Sequence, residues 1–250
     1  MSSKKYLLYQ VYVSENPPTQ LVLDSTASMK AYADRHGLDY MFEDEPNIRV
    51  RPCGLRTHPR MKFYWCMSLC RQELEHYDYV IHVDADIIAK PDAPDIRPYI
   101  KGDFQATRDP VDYLGTFWKP MAPLRRAWAF RNIAEHFGYD WWNHFNSGIW
   151  SSSPKARRLI RKKWRRKAFK IHVDESPAGS GEFPFSVGDP YGGDQNILND
   201  IVHNSDLEFS SIPWQWNALS IGCRDRLDEA FFIHYGGTKG KDLYNRNLEK

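Results

Sequence analysis

Two carboxylates spaced by one small residue, Asp84-Ala85-Asp86, close the most strand-like run of the chain, Asp78-Tyr79-Val80-Ile81-His82-Val83. On an extended backbone residues i and i+2 point the same way. The spacing therefore predicts that both carboxylates converge just past the end of a buried strand, where open α/β sheets present their ligands. Two hard oxygen ligands, with room for water and phosphate oxygens, suit Mg²⁺ or Mn²⁺ carrying a diphosphate. A D-x-D arises by chance about once in a chain this long, and a turn-forming pair is the competing reading. The chain holds one such motif, and the surrounding elements decide between the two.

Those elements alternate. Tyr6 to Val13 reads as a first strand, Leu21 to His36 as a helix capped by Gly37, and Leu38 to Phe42 as a second strand. A helix is expected over 60–76, with Phe63, Cys66, Met67 and Cys70 on one face, before the D-A-D strand. This β-α-β-α-β order predicts an α/β fold with a largely parallel sheet covered on both faces. Further on, 128–137 reads as a helix, 144–150 as a strand, Ser153-Pro154 as a helix start and Asp194 to His203 as a helix.

Composition narrows the class. The 250 residues suit one large α/β domain, and no segment has the length of a membrane span. Lys4-Lys5 and the apolar run behind them have the outline of a signal segment. Gln10 interrupts that run and no small-residue cleavage site follows, so a strand is the better account. The cysteines at 53, 66, 70 and 223 form no disulfide ladder, and Cys53, His58, Cys66 and Cys70 fit no standard zinc spacing. Reduced thiols in a cytoplasmic protein, of a bacterium or a virus-infected cell, are expected. Nine Trp and fourteen Tyr supply both core and sugar-stacking candidates, among them Trp141-Trp142 and Trp214 with Trp216.

Four segments then stand in order: D-A-D at 84–86, F-N-S-G at 145–148, G-G-D-Q-N-I-L-N at 192–199 and H-Y-G-G-T-K at 234–239. Together they resemble the GT-A nucleotide-sugar glycosyltransferases, most nearly glycosyltransferase family 8, the glycogenin and bacterial galactosyltransferase type. The resemblance implies a single GT-A, Rossmann-like domain over 1–250, with a nucleotide-binding half over about 1–103 and an acceptor-side half over about 104–250. It implies a metal-dependent hexosyl- or pentosyltransferase that uses a UDP- or GDP-sugar and retains anomeric configuration. Asp84, Asp86 and His234 are then the ligands of Mn²⁺ or Mg²⁺. Tyr12, Val13, Lys62, Ala85, Asn146, Ser147, Gly237 and Lys239 are the further donor contacts, and Asp194 and Gln195 the catalytic pair. An inverting reaction would instead need a carboxylate such as Asp189 or Asp194 as general base. The chain departs from the family at its tail: a lysine follows the histidine one residue early, without Pro-Trp behind it, so Lys239 and Lys241 both stand as the phosphate lysine.

The acceptor is read from charge. Between Lys155 and Lys170 lie ten basic residues and no acidic one, while the rest of the chain has 24 basic against 32 acidic residues. A helix over 154–170 would dock through Ala156, Leu159, Ile160, Trp164 and Ala168 and leave Arg157, Arg158, Arg161, Lys162, Arg165 and Arg166 on its exposed arc. Such a run points to an anionic partner. One reading is a modified base in DNA, as for phage transferases; others are a lipid-linked or polysaccharide acceptor. A nucleotidyltransferase would need a Gly- and Arg/Lys-rich loop after strand one, where Ser14-Glu15-Asn16-Pro17-Pro18 stands. A nucleic-acid-binding protein on a degenerate transferase scaffold would have lost the metal and donor residues, and here they are intact.

Overall fold

The computed structural model describes residues 4–12, 17–43, 72–109, 131, 134–163 and 194–248. Strand β1 (Tyr6–Val11) leads into helix α1 (Gln20–His36), and β2 (Asp39–Glu43) returns beside β1. Gly37 ends α1 in the left-handed region at φ 63°, and its N–H bonds the carbonyls of Ala33 and Asp34, as the sequence predicts. The helix buries Leu21, Val22, Ser25, Met29, Tyr32 and Ala33, a stripe of helical period. The helix expected over 60–76 falls outside the described residues except for its end, a 3₁₀ turn over Gln72–His76. The four candidate zinc residues, Cys53 to Cys70, lie wholly outside them.

Strand β3 (Tyr79–Asp84) is followed by β4 (Ile87–Ala89), β5 (Phe104–Arg108), β6 (Phe145–Ser152), β7 (Phe209–Ser211), β8 (Ala218–Leu219) and β9 (Phe232–His234). The main sheet has the order β2-β1-β3-β6-β5-β7. Its pairings are parallel except at β6, which runs against both β3 and β5. That reversal has a consequence for chemistry. Because Val83 pairs with Ile149, the start of β6 lies beyond the carboxyl end of β3, so Asn146 comes to the edge where Asp84 stands. A smaller sheet, β4-β9-β8, sets Ile87 opposite His234.

Of the cores that pack on the main sheet, two are the largest. One packs Trp150, Phe104 and Phe145 against Ile197, Leu198 and Ile201 of helix α3 (Asp194–His203) and against a second helix, α2, described over 154–163. The other packs Leu8, Ile81 and Ile149 against Met29 and Tyr32 of α1 and against Trp216 and Phe232. Val80 to Val83 are buried on both faces, which is why β3 reads as a nearly continuous apolar run. The chain described closes with helix α4 (Gly237–Leu248). Among the described residues no helix is long and apolar enough to cross a membrane.

Helix α2 corrects the charge reading. Ser153 caps it as expected, its Oγ accepting the Ala156 N–H at 3.2 Å, and Ala156 and Ile160 are buried. Arg157, however, is not on the exposed arc: it is 1% exposed. Its guanidinium donates to the carbonyls of Ser152 (2.7 Å), Leu74 (3.0 Å) and Tyr77 (2.6 Å). The Leu74 carbonyl also accepts the Tyr77 N–H at 3.2 Å, and the planar fork of arginine serves several carbonyls at once. Burial pushes its pKa down to about 10, so it is still a cation at neutral pH. Arg158 and Arg161 pair with Glu75 at 3.4 and 2.7 Å. Lys162 is exposed, while Arg165 and Arg166 lie outside the described residues.

Replacing Arg157 by Leu removes the donor to three carbonyls buried against α2. The expected loss is about 3 kcal/mol of stability, typical of breaking a buried charged network. A denaturant midpoint within error of the parent would contradict the internal role given to this residue.

Candidate metal and donor site

The carboxylates are positioned by a turn rather than by strand period. Asp84 is the last residue of β3, and Ala85 and Asp86 form the turn into β4. That turn is pinned from three sides. Gln10, fully buried in β1, donates to the Asp84 carbonyl at 3.2 Å and to Ser25 Oγ at 3.0 Å, and accepts from the Tyr40 hydroxyl at 2.8 Å. From α1, Ser25 Oγ donates to the Ile87 carbonyl and Ser28 Oγ accepts the Ala89 N–H. From the C-terminal side, the Tyr235 N–H donates to the Asp86 carbonyl at 2.9 Å.

Asp84, Asp86 and His234 each offer one ligand atom, all within 4.8 Å of one another. His234 Nε2 lies 3.2 Å from Asp86 Oδ1 and 3.8 Å from Asp84 Oδ2. Burial pushes the Asp86 carboxyl up, but the His234 imidazole and the Lys241 ammonium outweigh it and hold the group below the ordinary carboxylate range. Two carboxylate oxygens and one imidazole nitrogen around a common point fit Mn²⁺ or Mg²⁺, with positions left for phosphate oxygens and water.

The imidazole is itself held. His234 Nδ1 is 2.9 Å from Asn217 Oδ1, and Asn217 Nδ2 donates to Asn146 Oδ1 at 2.7 Å. Two glycines let the backbone approach the ring. A Cβ on Gly148 would lie 2.5 Å from His234 Cε1 and 2.6 Å from Nδ1, and one on Gly236 would lie 2.8 Å from Nε2. No side chain larger than hydrogen fits at either position without moving the ring.

Asn146 and Ser147 owe their placement to an irregularity in β6. One step on β5, Ala106 to Thr107, faces four on β6, Trp150 to Asn146. Such a bulge re-aims side chains and frees backbone N–H groups. Here the Gly148 N–H goes to Asn146 Oδ1 at 2.8 Å and the Ser147 N–H to Gln195 Oε1 at 3.2 Å. Gln195 Nε2 in turn lies 3.3 Å from Asp109 Oδ2 and 3.0 Å from His144 Nε2. The Gln195 amide is therefore fixed at both ends by buried groups.

These residues line one cleft of about 420 Å³, a usual size for a small-ligand site. Of the sequence-predicted residues, Asp84, Asp86, Asn146, Ser147, Gln195, His234 and Gly237 meet there; Leu219, Ser220 and Ile221 complete one wall. Gly237 opens α4 at φ 68°, a conformation that favours glycine. Tyr12 stands off the cleft and reaches the Pro17 carbonyl at 3.4 Å. Lys239 is exposed, and it is Lys241 whose charge acts on Asp86. Asp194 begins α3; Val13, Lys62 and Asp189 lie outside the described residues. Sequence reading missed Gln10, Asp109, His144, Gly148 and Asn217. Their common signal is a polar or glycine position inside or beside an apolar run, such as Asn217 between Trp216 and Ala218.

No protein-family model matches the chain, and no curated protein matches it. Solved structures do. A glycosyltransferase involved in the glycosylation of the major capsid of PBCV-1 superimposes with a TM-score of 0.55 at 12% identity, over 95% of this chain and 96% of that one. The WbbM bifunctional glycosyltransferase, in its apo structure, gives 0.54 at 11% identity, over 95% of this chain and 46% of its own. At these identities the likeness is one of fold, a mixed α/β architecture whose sheet is mostly parallel and flanked by helices.

Gly148→Ala tests the close approach without touching a ligand atom. The added methyl group displaces the His234 ring, and Mn²⁺ affinity measured by calorimetry is expected to fall about tenfold or more while the circular dichroism spectrum is kept. Undiminished affinity would show that the ring can move aside.

Proposed function

We propose that this chain is a metal-dependent glycosyltransferase that moves a sugar from a UDP- or GDP-linked donor to an acceptor hydroxyl. The observation that carries the proposal is the cluster of Asp84, Asp86 and His234 at the edge of a cleft lined by the amides of Asn146 and Gln195. The order of the four sequence motifs, similar to glycosyltransferase family 8, and a fold shared with glycosyltransferases support it. In this reading Asp84, Asp86 and His234 hold a divalent cation, which when bound stabilises the negative charge that develops on the departing diphosphate.

The remaining residues orient. Asn146 spends its carbonyl on Asn217 and the Gly148 N–H, so its NH₂ is the group left to meet a sugar oxygen. Gln195 is a neutral amide locked in place, suited to hold the donor ring and unable to act as a base. Retention of anomeric configuration belongs to this reading through the family resemblance; Asp194 precedes Gln195 at the start of α3. Lys241 adds a positive charge on the side where the diphosphate would lie, and Leu219 with Ile221 offers an apolar wall.

The acceptor reading is narrower than the charge run suggested. Arg157 is internal and Arg161 pairs with Glu75, so the basic surface described on this helix rests on the exposed Arg158 and Lys162.

Asp86→Ala is expected to abolish Mn²⁺-stimulated hydrolysis of the donor in a panel of UDP- and GDP-sugars, with the fold intact. Turnover equal to the parent would remove the metal from the reaction. The acceptor question is read from salt: a duplex held through several phosphates loses about three orders of magnitude in affinity between 50 and 200 mM salt. Binding that ignores salt, or no duplex binding at all, points to a neutral glycan acceptor instead.

A further inference from the structure

We infer that Asn217 is a positioning residue that sets the two halves of the site together, the tautomer of the metal-facing histidine and the polarity of the amide facing the sugar. The inference rests on the proposed reading for its cation, and on hydrogen-bond geometry for everything else.

A backbone N–H can only donate, so the Asn146 atom 2.8 Å from the Gly148 nitrogen is the carbonyl oxygen. That oxygen also faces one end of the Asn217 amide at 2.7 Å, and two acceptors cannot meet there, so Asn217 presents its NH₂. The other end of Asn217 is then an oxygen, and it faces His234 Nδ1 at 2.9 Å. For a neutral imidazole Nδ1 must carry the hydrogen, and Nε2 turns its lone pair toward Asp84 and Asp86. Each assignment forces the next. Asn217 is fully buried between the two.

Histidine ligands of metals commonly donate their second N–H to a carboxylate or a carbonyl, and removing that partner costs tenfold to a hundredfold in metal affinity. Here the partner is an amide whose far end grips another residue of the cleft. One side chain therefore couples cation binding to Asn146, the residue proposed to read the sugar.

The test compares three variants by Mn²⁺ affinity from electron paramagnetic resonance and by the His234 tautomer from long-range ¹H–¹⁵N spectra at pH 8. In the parent the Nδ1–H form is expected alone. Asn217→Leu should release the ring into a mixture of tautomers and weaken Mn²⁺ by tenfold to a hundredfold. Asn217→Asp, which still accepts from Nδ1–H but no longer donates to Asn146 Oδ1, should keep the tautomer and lose no more Mn²⁺ affinity than Asn146→Ala. Asn146→Ala should weaken Mn²⁺ severalfold although it removes no ligand, and should add nothing in the Asn217→Leu background. A single tautomer in Asn217→Leu, equal losses in the Leu and Asp variants, or additive effects of the two positions would each overturn the inference. If the parent binds no Mn²⁺, the proposed function fails, yet the tautomer spectra still decide the role of Asn217.

Discussion

One backbone N–H, that of Gly148, organises the site because it has lost its partner in the sheet. A buried donor left unpaired costs about 1–3 kcal/mol, so the bulge in β6 has to supply an acceptor. Asn146 supplies it from two residues away, and in doing so commits its oxygen. From there the direction of every bond as far as His234 Nδ1 follows from the rule that donors meet acceptors. The same bulge frees the Ser147 N–H, which fixes Gln195 by the same logic and ties it to Asp109 and His144. A defect in one ladder thus becomes the origin of two ordered chains of polar groups that end in the same cleft.

How much of this was legible depends on whether the physics is local in sequence. Asp84 and Asp86 could be found because they stand together behind an apolar run, and Gly37 because a helix end needs a left-handed residue. The reason offered for the convergence of the carboxylates was nevertheless not the one that operates: the turn, not the period of the strand, brings Asp86 round. His234 and Asn146 were reached through resemblance, since nothing in a short apolar strand announces a ligand. Gln10 was read as an interruption of an apolar segment. Its fully buried amide in fact anchors the carboxylate turn to β1 and α1, contacts that span up to 74 residues of sequence. Asn217 was passed over for the same reason, as its partners lie 17 and 71 residues away.

Arg157 shows the opposite failure, in which a strong local signal misleads. Ten like charges in sixteen residues predict a solvated or partner-binding face, because burying a cation without compensation is costly. The compensation here is neither a carboxylate nor a phosphate. It is a set of three carbonyls, two in or just after a 3₁₀ turn and one at the end of β6. Carbonyl demand of that kind is created by tertiary structure and leaves no trace in a charge count. The neighbouring arginines then share Glu75, so much of the described charge on α2 serves to dock the helix.

The histidine carries the same lesson to the chemistry. Backbone at Gly148 and at Gly236 presses on the imidazole so closely that a methyl group at either position would meet the ring at under 3 Å. Asn217 holds one ring nitrogen, and the other is directed at two carboxylates. With Nδ1 committed to Asn217, Nε2 at 3.2 Å from Asp86 Oδ1 meets that oxygen through a proton of its own or through a cation between the two. The rest of the network prevents the ring from turning away to escape that contact. The ring is therefore fixed in one orientation, with Nε2 facing the carboxylate pair. Acidic pairs are frequent in sequences; here the pair is joined by a histidine whose position is set by backbone at two glycines and by the Asn217 amide.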